Sequence, residues 1–185
     1  FETVSVAMGI PKKYQTYLVW QMGWGDWQQL AIIDGKPEPT SMNLIEGIQG
    51  AHELFRQKTG LSQSQNKTAW EQCLIPEKGG YNGKKSDASQ LIYQSLGAFF
   101  NSRIGAQLNL VDPWRDRISH VIASGGSTKD NKVMEVLSQE VSVEGLTIIP
   151  ISKIMESNNL PIKDASFATV LGLSSQVNLA IDIGN

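Results

Sequence analysis

The stretch Tyr17-Leu18-Val19-Trp20-Gln21-Met22-Gly23-Trp24-Gly25-Asp26-Trp27-Gln28-Gln29-Leu30-Ala31-Ile32-Ile33-Asp34-Gly35 decides how the chain folds. Its first six residues are rich in aromatic and β-branched side chains and read as a strand. Gly23-Trp24-Gly25-Asp26 reads as a tight turn, since glycine enters positive φ without steric cost. A second strand runs about from Trp27 to Ile33. Asp34-Gly35 is a hairpin signal, with room for a short third strand near Glu38.

Working outward, Ser41 is placed to cap a helix whose apolar residues Leu44, Ile48, Ala51 and Phe55 step by four, three and four. Gly60 sits where a left-handed C-terminal cap belongs. Residues 61–85 are polar, contain Gly79-Gly80 and Asn82-Gly83, and read as a loop or insertion. Within it, Lys78, Lys84 and Lys85 form a small basic patch, either solvated or facing an acidic partner. Ser86 is placed to cap a long second helix with a stripe of Ile92, Leu96, Phe100, Ile104 and Leu108, and Pro113 lies beyond its end. Ile118 to Ala123 is a short strand, broken by Ser124-Gly125-Gly126-Ser127. A helix near Asn131 to Val141 follows, with Ser127 or Thr128 as its cap. Leu146 to Ile149 reads as a strand, Asp164 opens a helix through Phe167 and Leu171, and Leu179 to Ile183 is a final strand. This alternation predicts an α/β fold with a mixed sheet and flanking helices. With no repeat and no linker-like boundary, residues 1–185 read as one domain.

Composition bounds the function. The chain has 185 residues, 41% hydrophobic and 18% charged, with a net charge of −2. That balance argues against direct nucleic-acid binding through a basic surface, and against a disordered chain. No apolar run is long enough to span a bilayer, so no membrane partner is expected. The single cysteine, Cys73, excludes an intrachain disulfide and fits a reducing, cytoplasmic setting. Phe1 in place of an initiator Met predicts a trimmed piece. His52 and His120 lack metal-ligand spacing and read as core or surface residues. There is no Gly-x-Ser-x-Gly elbow.

Two glycine turns separated by a helix-rich stretch carry a family resemblance. One is Leu18 to Asp26; the other is His120-Val121-Ile122-Ala123-Ser124-Gly125-Gly126-Ser127. Downstream, Asp164-Ala165-Ser166-Phe167 leads to Gly172-Leu173. This order resembles the second half of the actin-like ATPase superfamily, the fold of actin, Hsp70 and sugar kinases. Within it, the chain looks most like the plasmid-segregation branch (ParM/StbA-like). The resemblance covers about residues 15–174 and implies a ribonuclease H-like mixed sheet, one subdomain of an actin-like fold. Met8-Gly9-Ile10-Pro11-Lys12-Lys13-Tyr14 looks like the segment that ends the family's first subdomain. Ala180-Ile181-Asp182-Ile183-Gly184-Asn185 looks like its first phosphate loop. Standing at the C-terminus, that strand (about 175–185) is out of family order and reads as a permutation, an engineered join or a chance tail.

The resemblance implies ATP and Mg²⁺ as cofactors, self-association into filaments, and a protein adaptor as a further partner. Gly23, Gly25, Asp182, Gly184 and Asn185 would contact phosphates, the glycines because without a Cβ their backbone N–H groups approach closely. Gly125, Gly126 and Ser127 would hold adenosine, and Asp182 would hold the metal through water. Departures from the family pattern point to a degraded second phosphate loop. Gln21 stands where a carboxylate is usual, Asp26 where Thr is usual, and Trp24 and Trp27 where small residues are usual. Each glycine turn also reads as a plain connection between elements. A different class stays open: a non-catalytic interaction module on the same scaffold, with Trp24 and Trp27 exposed as an apolar patch.

Overall fold

The computed structural model describes residues 15–76 and 85–157. Three antiparallel strands open the fold: β1 (Tyr17–Met22), β2 (Asp26–Ile33) and β3 (Lys36–Glu46). Next come α1 (Gln49–Thr59), α2 (Gln63–Gln72), a two-stranded ribbon of β4 (Leu74–Pro76) and β5 (Lys85–Asp87), and the long α3 (Ser89–Asn109). A 3₁₀ turn (Asp112–Arg117) leads to β6 (His120–Ser124), a second 3₁₀ turn (Gly126–Lys129), α4 (Asn131–Val143), β7 (Thr147–Pro150) and α5 (Ile151–Ser157). The main sheet has the order β3-β2-β1-β6-β7; β6 and β7 run parallel to β1. The predicted mixed α/β architecture with flanking helices is therefore present.

Central β1 is buried along its whole length, which is why it reads as an unbroken apolar run. Alternation splits its side chains between two layers. Leu18, Trp20 and Met22 join Trp27, Phe55, Phe99, Phe100 and Leu137 on the face covered by α1, α3 and α4. Tyr17 and Val19 join Leu30, Ile32 and Ile122 on the face covered by α5. All five predicted stripe residues of α3 lie in the first layer, none more than 4% exposed.

Several local readings are corrected. The segment from Ser41 to Glu46 is strand, not helix. Ser41 Oγ donates to Glu38 O (2.6 Å) and accepts from Ala31 N (2.7 Å), which holds a register shift between Gln29 and Ala31. The apparent four-residue step from Leu44 to Ile48 therefore crosses a strand–helix junction. Residues 61–85 are not one loop, because they contain α2. Its start carries a capping box, with Ser62 Oγ accepting from Gln65 N and Gln65 Oε1 accepting from Ser62 N. Ser86 lies in β5, and Asp87 rather than Ser86 serves the first turn of α3, accepting from Ser89 N at 2.9 Å. Asp130, not Ser127 or Thr128, caps α4. Gly60 does end α1 in the left-handed conformation, at φ 69°. The expectations for residues 8–14, for Lys78 and Lys84, for the helix from Asp164, and for Asp182, Gly184 and Asn185 lie outside the described residues.

Candidate functional site

Because β1 and β6 are parallel neighbours, their C-terminal ends deliver both glycine turns to one edge of the sheet, with Gln21 opposite Ser124. The turns touch. Ser127 Oγ donates to Gly23 O at 2.9 Å. Gly125 has φ +97°, and a Cβ there would sit 2.3 Å from the Met22 carbonyl oxygen. So Gly23, Gly25, Gly125, Gly126 and Ser127, singled out separately in the sequence, belong to one locus.

The β1–β2 turn closes through Gly23 N donating to Asp26 O (2.8 Å). Its carbonyls are taken by the start of α1: Gly47 N donates to Gly25 O (3.1 Å), Ile48 N to Gly23 O (3.2 Å) and Gln49 N to Trp24 O (2.9 Å). This explains how α1 begins without a side-chain cap, since the turn satisfies its orphan N–H groups. A Cβ at Gly47 would lie 2.5–2.7 Å from three backbone atoms of the turn. The amides of Trp24 and Gly25 donate to none of these bonds, so the turn's free donors are at its tip.

Between the two turns and α2 lies a cavity of about 310 Å³. Ile48, Trp70 and Val133 make it apolar, Gly126 and Ser127 supply backbone, and Lys67 and Glu71 stand on α2 one turn apart. An aromatic ladder forms one wall. The His52 ring stacks on Trp70 (centroids 3.7 Å apart, 22° between planes), and Trp24 packs on His52 at 4.6 Å. Burial holds the His52 imidazole neutral, pushed down to about 4; Asp130 opposes that shift and Lys132 adds to it. Asp130 organises the floor. Its Oδ2 accepts from Trp70 Nε1 (3.2 Å), and its Oδ1 accepts from Lys132 N (2.9 Å).

The two Trp residues proposed as a joint patch separate. Trp24 is 55% exposed, but Trp27 is 1% exposed and packs edge-on against Trp20 and Phe100. Trp27 is a core residue and cannot take part in an exposed patch. Its inward direction follows from its place one residue into β2, on the face of Trp20.

At the strand end where the resemblance implies a carboxylate, Gln21 is buried, and neither its Oε1 nor the neighbouring Ser124 Oγ has a hydrogen-bond partner. Asp26 leans back over the turn, with Oδ1 2.8 Å from where a Gly23 Cβ would be, and its Oδ2 accepts from Gln28 Nε2 (2.9 Å). Among the described residues no group of three or more His, Cys, Asp or Glu is gathered as for a metal. The apolar, aromatic-walled cavity suits a flat ring such as a nucleobase. For a divalent cation, Gln21 and Ser124 offer neutral oxygens where a carboxylate is usual.

Trp70, Lys67, Glu71 and Asp130, the contact of Gly47 with the turn and the ladder role of His52 are not apparent from sequence. The Ser62-Gln65 capping box was the available signal for α2, and hence for Lys67, Trp70 and Glu71.

No sequence-family model matches this chain, and no curated protein matches it. Solved structures do. The archaeal actin homolog Ta0583 superposes with a TM-score of 0.67 at 16% identity, over 95% of this chain and 54% of that one. Its complex with ADP matches with a TM-score of 0.63 at 17% identity, over 91% and 53%. A non-polymerisable quadruple mutant of pCBH ParM gives 0.60 at 13% identity, over 85% and 45%. The ethanolamine utilization protein EutJ from Carboxydothermus hydrogenoformans gives 0.62 at 13% identity, over 92% and 52%.

The chain thus has the fold of one subdomain of an actin-like protein. It spans about half the length of each of these structures. No helix among the described residues is long and apolar enough to cross a membrane.

Proposed function

We propose that this chain is the nucleotide-holding half of an actin-like protein. The base and ribose occupy the cavity walled by Trp24, His52 and Trp70, and the phosphates point to the tip amides of Trp24 and Gly25. The observation that carries this reading is the cavity itself. It opens where both glycine turns converge, in a fold whose archaeal neighbour is described in complex with ADP. Its volume is at the lower end of about 300–1,000 Å³, the usual span of small-ligand sites.

Mg²⁺ accompanies the nucleotide in this reading, and Gln21 makes hydrolysis slow, because a carboxamide can neither serve as a base nor bring charge to the metal. Asp182, Gly184 and Asn185 remain expected phosphate contacts, with Asp182 also expected to hold the metal through water. Assembly into filaments, as in plasmid segregation, and a protein adaptor are the corresponding proposals for the larger protein.

The test is calorimetry of Mg-ADP and Mg-ATP binding to the chain, with light scattering to follow assembly. Saturable binding with little phosphate release is expected. No heat and no thermal shift at saturating nucleotide would remove the reading. The exposed Trp24 favours a second one, a protein-interaction module without nucleotide; it predicts a folded chain indifferent to nucleotide.

A further inference from the structure

A second cavity, of about 430 Å³, shares Trp24 and His52 with the first but is otherwise lined by different residues, from the end of β3, α1 and the start of α2. We propose that it is a binding site for a neutral, hydroxyl-rich small molecule of the saccharide or polyol class. This is separate from the nucleotide reading and does not depend on it.

Charge comes first. Each carboxylate in the lining already has its cation. Glu53 takes a bidentate pair of bonds from Arg56 (2.7 and 2.6 Å), and Glu46 is bonded by Arg103 at 2.5 Å. These formal charges cancel, so an ionic ligand would shed its water without gaining an opposite charge. A neutral ligand meets no such penalty.

The remaining polar groups suit hydroxyls. Gln49 and Gln63, both exposed, line this cavity, and no protein group among the described residues bonds their side-chain amides. Each presents an acceptor oxygen beside a two-hydrogen donor, and each sugar hydroxyl is both donor and acceptor, so neighbouring hydroxyls pair with one amide. Asn66 is 6% exposed; its Nδ2 donates to His52 O (3.1 Å), but its Oδ1 is buried without a partner, as is His52 Nδ1. The half-exposed Trp24 indole adds a flat apolar surface for the C–H face of a sugar ring.

The experiment is a heteronuclear NMR titration of the whole chain with glucose, maltose and glycerol, with arginine and inorganic phosphate as charged probes. Saturable shifts at Gln49, Gln63 and Trp24 are expected with at least one of the three hydroxylated probes, with affinity of order ~1 mM. Gln63→Ala should weaken that binding at least fivefold without changing the melting temperature, and Trp24→Phe should keep it while Trp24→Ala loses it. The absence of saturable shifts with all three, or shifts of Gln49 and Gln63 by arginine or phosphate instead, overturns the proposal. Gln63 does not line the first cavity, so a Gln63→Ala chain that loses sugar but keeps Mg-ADP binding separates the two sites.

Discussion

The two glycine turns look alike in sequence and do different things in the structure. At the double glycine, the first residue is indispensable: Gly125 combines φ +97° with a Met22 carbonyl 2.3 Å from where a side chain would begin. Its neighbour Gly126 has open space and needs no glycine for steric reasons. At the β1–β2 turn, neither Gly23 nor Gly25 has positive φ, and a Cβ at Gly25 would meet nothing within 4 Å. The glycine that this turn does require is Gly47, which comes from across the fold. The comparison teaches that a glycine motif marks a turn, while the packing partner decides which glycine is essential.

Five changes would break or sharpen that contrast. Gly125→Ala should have the largest effect, about 3 kcal/mol or more of lost stability in urea unfolding, from left-handed strain plus a backbone clash. A near-wild-type midpoint would contradict the close approach to Met22. Gly47→Ala should cost about 2–3 kcal/mol, since backbone atoms on the turn cannot rotate away as a side chain would. The same measurement checks it, and loss of the α1 docking should appear as faster amide exchange at Ile48 and Gln49.

The third change is in pH. The folded chain holds His52 near 4 against its ordinary 6.5. Between those values the unfolded chain binds more protons than the folded one, so stability is full above about 6.5 and declines as pH falls toward 4. Urea midpoints at pH 7 and 4.5 should differ in that direction, and His52→Gln should flatten the difference. The smallest effect belongs to Gly25→Ala and Gly126→Ala, each within about 0.5 kcal/mol of wild type. For Gly25 the informative readout is Mg-ADP affinity. A fall without a stability change would mean that phosphate uses the open space at the tip.

Much of the sheet was legible because its signals are local. The run from Tyr17 to Met22, the Asp34-Gly35 hairpin, the strands near Ile122 and Ile148, and the stripe of α3 all follow from side-chain periodicity. The errors fell where two periodicities meet or a cap is supplied from afar. Leu44 and Ile48 mimicked one helix because a strand ended between them. The start of α1 offered no capping side chain, since carbonyls of the β1–β2 turn accept its first N–H bonds. The site is half legible: the glycines of both turns stand out in the sequence, but the residues that wall the cavity do not, because the polar composition of α2 resembles that of a loop. Trp24 and Trp27, three positions apart on one hairpin, were indistinguishable until one was seen at the turn tip and the other under α3.

By itself, the sequence determined a mixed α/β sheet with two glycine turns at strand ends, because alternation, turn chemistry and helical spacing act over a few residues. Only the tertiary structure decided that these turns meet, that backbone atoms crowd out a side chain at Gly125 and Gly47, and that His52 is held neutral between Trp24 and Trp70. Those are contacts between residues far apart in the chain, and close packing rather than local preference sets them.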